Sequence, residues 1–253
     1  MISPITELNF VYPNWSVPAR VHALSTTRQG GVSLPPYQSF NLAEHVGDSL
    51  QAVAQNRARL AQALPAHETW VWLDQQHTAN ALYFDQAWSV PPVADAMWTD
   101  QPGLVLSIMT ADCLPILVTN HAGTLVAAIH AGWRGLADGI VQNTLKQLPE
   151  KPANLLAWIG PAISSARFEV GEDVRQAFVQ QTSDFDCYFK PQPAQAAKYL
   201  ADLPALAEKI LHQQGVQEVR QSGLCSFEDA SRFFSYRRDG QTGRMASLIW
   251  LEG

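Results

Sequence analysis

Cysteine is scarce in this chain of 253 residues: there are three, at Cys113, Cys187 and Cys225. An odd number with irregular spacing is no disulfide framework, and it points to a reducing compartment. Long apolar runs are missing as well. The longest candidate, residues 104–109, runs into Thr110, Asp112 and Pro115, well short of the roughly 20 residues that span a bilayer. The first fifteen residues have no basic or apolar signal region and carry Glu7, so the expected location is the cytoplasm. Charge is sparse, at 16%, and the net charge is −6. That balance argues against a nucleic-acid or anionic-membrane partner. Neither HExxH nor an H-x-E with P-C-x-x-C occurs, which removes the common zinc-protease and cytidine-deaminase signatures. Low-complexity tracts, charge blocks, repeats and linkers are absent too.

What the chain does have is apolar material. Residues of the hydrophobic classes make up 47%, and eight are Trp. A chain of this length buries roughly 70–75% of its surface on folding, so it needs no disulfide or metal merely to fold. One domain over residues 1–253 is expected. Residues 21–27, 69–73, 104–109, 114–119, 124–129, 155–159, 216–220 and 245–251 read as strands. Leu50, Val53, Ala54, Ala58, Ala61 and Leu64 recur at helical spacing behind the N-cap candidates Asp48 and Ser49. They predict a helix over 49–64, stopped by Pro65. Helices are also expected over 135–148, 171–181 and 194–214, the last interrupted at Pro204. Strands and helices mix without strict alternation, which favours an α+β fold with mixed sheets over a doubly wound sheet.

Chemistry gathers around residues 113–135. Asn120-His121-Ala122-Gly123 between two apolar runs is a hairpin signal. A turn centred between His121 and Ala122 places Cys113 directly opposite His130, with Cβ atoms about 5 Å apart. That spacing suits one metal ion bridged by thiolate and imidazole, or a Cys nucleophile beside a His base. Against this stands the ordinary fate of such residues, an inert core thiol and a satisfied core histidine. Asp112 weakens that reading, since plain core does not want a carboxylate. So does Ala131-Gly132-Trp133-Arg134-Gly135, a glycine-flanked turn with an Arg at a helix start, which suits an anion. His77, just past a strand, is a third ligand candidate and equally a solvated loop residue. The other histidines are assigned nothing, and Cys187 and Cys225 read as structural. Arg28-Gln29-Gly30-Gly31 is a second glycine-rich turn with an Arg, weak by itself. Arg28 and Arg134 are expected to face one pocket.

Several segments together resemble the YfiH family: Thr27-Arg28-x-Gly30-Gly31-x-Ser33, Phe40-Asn41-Leu42, His45-Val46-Gly47-Asp48, Asn56-Arg57, Gln75-Gln76-His77, Thr110 to Ile116, His130 to Gly135, Ile159 to Ile163 and Phe234 to Asp239. The family also carries the names multicopper polyphenol oxidase (laccase), purine nucleoside phosphorylase and peptidoglycan editing factor. The resemblance implies a four-layer α/β/β/α domain, shared with a cytotoxin deamidase that uses Cys and His. It implies a metal site at His77, Cys113 and His130, with zinc the usual ion and copper a second possibility. It implies phosphorolysis of adenosine, inosine, guanosine and methylthioadenosine to free base and ribose 1-phosphate, with adenosine deamination as a second activity. Cys113, His130, Asp112 and Arg134 are then the expected catalytic residues. Arg28, Gly30, Gly31 and Asn41 are the expected substrate-binding ones. The expected partners are a small nucleoside and phosphate, and no motif specifies an oligomeric state.

Physical chemistry ranks these names. A multicopper centre takes about ten histidines, since imidazole is the main copper ligand. The chain has seven, with no His-x-His pair, so laccase chemistry is disfavoured. Nucleoside chemistry suits a zinc with an open position and arginines for phosphate. Asp112 would exchange a proton or orient a ligand histidine. The alternative is a metal-free Cys113/His130 hydrolase of amide bonds, such as those of peptidoglycan precursors. A structural zinc site is disfavoured by its three ligands.

Overall fold

The computed structural model describes residues 8–64, 69–193, 195 and 197–253. The Pro65 helix stop, His67, Ala194 and the segment through Glu7 lie outside the described residues. The strands are β1 (Phe10–Val11), β2 (Val21–Thr26), β3 (Thr69–Trp72), β4 (Ala81–Tyr83), β5 (Ala96–Thr99), β6 (Leu104–Thr110), β7 (Leu114–Asn120), β8 (Val126–Ala131), β9 (Leu155–Ile159), β10 (Glu169–Gly171), β11 (Phe189–Pro191), β12 (Lys198–Ala201), β13 (Glu218–Gln221) and β14 (Met245–Leu251). The α-helices are α1 (Leu50–Ala63), α2 (Trp133–Ala137), α3 (Ile140–Gln147), α4 (Glu172–Val179), α5 (Leu203–Gln213) and α6 (Tyr236–Asp239).

Two mixed sheets form the centre. One runs β1-β2-β14-β6-β3 and the other β13-β9-β7-β8-β5-β4, with a small third sheet, β10-β12-β11. Val71, Leu106, Ile108 and Ile249 of the first large sheet pack against Leu117, Val126, Ala128 and Trp158 of the second. The outer face of the first is covered by α1, whose Leu60 joins Leu24, Leu248 and Trp250. The outer face of the second, with Ile116, Val118, Ala127 and Ile129, is covered by Leu136, Ile140, Val141, Leu145, Leu206 and Ile210 of the helices. The result is four layers, α/β/β/α, as the resemblance implies. Strands β7 and β8 are buried along their whole length because both their faces are covered, which is why they read as continuous apolar runs. No helix among the described residues is long and apolar enough to cross a membrane.

Three expectations need correction. The β7–β8 turn is longer than a tight hairpin: Thr119 pairs with Val126, and His130 lies opposite Pro115 instead of Cys113. The Asn120 side chain holds this loop open, accepting from Thr124 N and donating to Thr124 Oγ1, both at 2.8 Å. The slip is two residues, so the side chains keep their faces. Cys113 stays on the His130 side, one residue before β7 begins. The helix expected over 194–214 begins only at Leu203, with Asp202 as its N-cap. Residues 198–201 instead join β10 and β11. Pro204 causes no break, because it sits in the first turn, where a missing N–H costs nothing. The helix expected over 135–148 is two helices parted at Gly139, φ 90°.

Candidate metal centre and its cleft

Each donor comes from a place where the chain turns. Cys113 follows Asp112, which has φ 98°, in the bend between β6 and β7; His77 has φ 60° in the loop between β3 and β4. His130 belongs to β8 and is 4% exposed, while Cys113 is half-buried and His77 exposed. One donor atom from each lies within 4.8 Å of the others, and Cys113 Sγ is 3.7 Å from His77 Nε2. Tetrahedral zinc, with bonds near 2.3 Å to sulfur and 2.0 Å to nitrogen, sets such a pair about 3.5 Å apart. Gly132 completes the fit. A Cβ there would lie 2.6 Å from His77 Cδ2 and 3.1 Å from Cys113 Sγ. The cradle therefore exists only because residue 132 has no side chain. These three residues suit zinc, with copper the other ion that a thiolate–imidazole set accepts.

Sequence reasoning missed the residue that organises this set. Asp95 precedes β5, and its side chain is fully buried. Its Oδ1 accepts from His130 Nδ1 at 2.7 Å and from His77 N at 3.0 Å. Its Oδ2 accepts from Thr78 Oγ1 at 2.8 Å, and from Thr78 N and Gln76 N. Burial would raise the Asp95 carboxyl, but the bond from His130, its charge and the Thr78 donors outweigh that and hold it at about 2. Burial would lower His130, yet the bond to Asp95 and the nearby Cys113 sulfur raise it to about 9. Burial would raise the Cys113 thiol, and the His130 and His77 imidazoles bring it down to about 6. The sulfur is thus a ready thiolate, whether as ligand or nucleophile.

The donors open into a cleft of about 440 Å³, lined also by His45, Gln75, Met109, Arg134, Tyr236 and Arg244. Arg134 is there as expected. Arg28 is not: Nε and Nη2 donate to Gln38 O and Nη1 to Ala230 O, and the guanidinium lies 4.7 Å from the centre of the Phe234 ring. It braces its own loop. Gly31 serves close packing of backbone, since a Cβ there would fall 2.0 Å from Ser39 O, and Arg59 Nη1 caps the Gly30 carbonyl. Neither glycine lines the cleft. Asn41 is fully buried and acts at one remove: its Oδ1 accepts from Arg244 N at 3.0 Å. Asp112 does not touch a donor histidine through its carboxylate. Oδ1 accepts from Ser226 Oγ and Oδ2 from Arg237 N, each at 2.7 Å, tying the Cys113 bend to the first turn of α6. Of the other cysteines, Cys225 accepts from Ser164 N at 3.4 Å, and Cys187 is exposed rather than buried.

Arg244 and Tyr236 had weak signals, a polar stretch before a closing strand and a place in a recognised motif. Arg244 Nη1 donates to Thr242 O and Gly243 O. Its Nε and Nη2 have no protein acceptor among the described residues. Gln75 is spent on backbone, donating to Met109 O and accepting from Met109 N. Burial and the nearby Arg244 charge lower the His45 imidazole, which favours its neutral form.

Fold and site together define a four-layer α+β protein with a His/Cys/His centre in an arginine-flanked cleft. The chain belongs to the family described as multi-copper polyphenol oxidoreductase laccase, whose model matches residues 22–252. It is 44% identical over 242 residues to a purine nucleoside phosphorylase of Haemophilus influenzae, covering 96% of this chain and 99% of that one. It is 45% identical over 241 residues to the purine nucleoside phosphorylase YfiH of Escherichia coli, covering 95% and 98%. Among solved structures, a Neisseria meningitidis protein matches with a TM-score of 0.93 at 46% identity, over 97% of this chain and 100% of that one. YlmD from Geobacillus stearothermophilus matches at 0.83 and 29% identity, over 98% and 99%. The YfiH resemblance read from the motifs is thereby established.

Proposed function

We propose that this chain is a purine nucleoside phosphorylase that uses zinc at His77, Cys113 and His130. The observation that carries the proposal is one cleft combining this donor set with two arginines, in a chain whose relatives bear that name. In phosphorolysis a phosphate oxygen bonds to the ribose C1′ as the bond from C1′ to N9 of the purine breaks. The bonding pair leaves with the base, which takes up a proton. Arg134 and Arg244 hold the phosphate, and the free edge of the Arg244 fork suits two of its oxygens. Arg244 takes the place first given to Arg28. Neutral His45 offers one donor and one acceptor to a purine edge, and the exposed Tyr236 ring offers a stacking face. Bound zinc would supply Lewis-acid polarisation at its open fourth position.

The test is an assay of base release from adenosine, inosine, guanosine and methylthioadenosine, with and without phosphate. Phosphate-dependent formation of ribose 1-phosphate, lost on chelation and restored by zinc, is the expected result. Base release that ignores phosphate would overturn it. Conversion of adenosine to inosine and ammonia, without base release, reports the proposed second activity. A polyphenol oxidase remains disfavoured, because the described residues hold one group of three metal-binding donors.

One observation favours a second reading. Asp95, His130 and the low-lying Cys113 thiol line up as orienting acid, base and nucleophile, the arrangement of a cysteine hydrolase of amide bonds. Alkylation separates the two. Bound metal shields the sulfur, so the zinc-loaded protein should react slowly with iodoacetamide until chelator is added. Fast alkylation of the loaded protein would favour the hydrolase.

A further inference from the structure

We propose that Asp95 is the positioning residue of the metal centre, holding two of its three ligands by two different routes. The first route is the ring of His130. A carboxylate only accepts hydrogen bonds, so the 2.7 Å contact from His130 Nδ1 to Asp95 Oδ1 requires the proton on Nδ1. In the neutral ring that a metal ligand must be, this leaves the Nε2 lone pair for the metal. The second route is the backbone of His77. Three consecutive N–H groups, those of Gln76, His77 and Thr78, converge on the same carboxylate. Such a nest of amides closes around an anion. Here the anion is a side chain, and the turn around it carries His77 at φ 60°, a left-handed conformation uncommon outside glycine.

An amide cannot serve both routes. In Asp95→Asn, an oxygen facing His130 leaves the –NH₂ against the amides of Gln76 and Thr78, donor against donor. With the amide turned over, the –NH₂ faces His130 Nδ1, which must then accept. The proton moves to Nε2, the atom that should hold the metal. Thr78→Val is the milder comparison. It removes the Thr78 Oγ1 donor to Asp95, and it leaves the His130 contact in place.

The inference rests on the metal reading of the site and needs no nucleoside turnover. Zinc affinity, measured by competition with a chromophoric chelator, should fall roughly 10–100-fold in Asp95→Asn and less in Thr78→Val. Long-range ¹H–¹⁵N NMR of the two metal-free proteins, in buffer alkaline enough for the ring to be neutral, should show His130 protonated at Nδ1 in the wild type and at Nε2 in Asp95→Asn. A merely structural role would lower the affinity of both variants without moving the tautomer. Zinc binding as tight in Asp95→Asn as in the wild type would overturn the proposal. So would a wild-type His130 protonated at Nε2, a measurement that stands even if the variant fails to fold. A wild type that takes up no zinc would overturn the metal reading with it, whereas retained affinity in the variant overturns this inference alone.

Discussion

At the scale of single residues, the missing side chain at Gly132 matters as much as the donors themselves. Its backbone, at φ −68° and ψ 163°, is open to any residue, so conformational freedom does not explain the glycine. Room for the His77 ring does. Gly132→Ala should therefore leave the metal-free protein within about 1 kcal/mol of wild type in denaturant unfolding. Zinc affinity should weaken on the order of tenfold, because the methyl forces His77 and Cys113 out of register with the ion. A variant of unchanged affinity would show that the donors have slack. The three donors were legible in the sequence because Cys and His stand in distinctive company, beside Asp112 and in glycine-flanked turns. Asp95 was not. It is one carboxylate in Val93-Ala94-Asp95-Ala96, and no spacing rule ties it to residues 18 and 35 positions away. Its faint signal was a charged residue entering an apolar strand. Arg28 misled for the opposite reason. A turn with two glycines looks the same whether it admits an anion or the chain's own backbone.

Among the elements, α1 shows how a helix shapes a loop it does not belong to. Asn56, fully buried, accepts from Val32 N at 2.9 Å and donates to Ser33 Oγ, Ser39 O and Asn41 O at 2.9–3.2 Å. Asn41 in turn fixes Arg244, so the helix is linked to the cleft through two buried amides. Asn56→Ala strands several buried polar groups at once. It should cost about 3 kcal/mol, seen as a lower urea midpoint, and a loss below about 1 kcal/mol would mean that water replaces the amide. This explains Asn56 physically, where the sequence offered only a motif. The α1 helix itself was legible because its apolar residues recur at 3.6-residue spacing behind Ser49, whose Oγ accepts from Ala52 N. The β7–β8 pair was legible as strands but not in register, since loop length depends on how Asn120 folds back on Thr124. Residues 198–201 were misread because their pairing partners, 169–171 and 189–191, are distant in sequence. Local periodicity carries no trace of such a pairing.

For the whole molecule, the decisive fact is where the cleft sits. Cys113 lies where the chain leaves β6 of the five-stranded sheet for β7 of the six-stranded one. His77 lies on the passage from β3 to β4, which joins the same two sheets, and Arg244 immediately precedes β14 of the first. An ion held by His77, Cys113 and His130 would therefore tie two segments that pass between the sheets to strand β8 of the second. Binding to the folded state alone must stabilise it by mass action. At free zinc about 1,000-fold above its dissociation constant the gain is about 4 kcal/mol. A chain of this size shifts its melting temperature by roughly 2–4 °C per kcal/mol, so the zinc-loaded protein should melt about 8–16 °C above the chelated one. The chelated protein should still be folded at 25 °C, because its core is buried between four layers and does not depend on the ion. Cys113→Ala should erase the zinc-dependent shift while keeping a cooperative transition. Differential scanning calorimetry of wild type and variant, each with chelator and with buffered zinc, reads all of this. Equal melting temperatures for loaded and chelated wild type, with zinc bound, would mean that the unfolded chain holds the ion as tightly as the folded one.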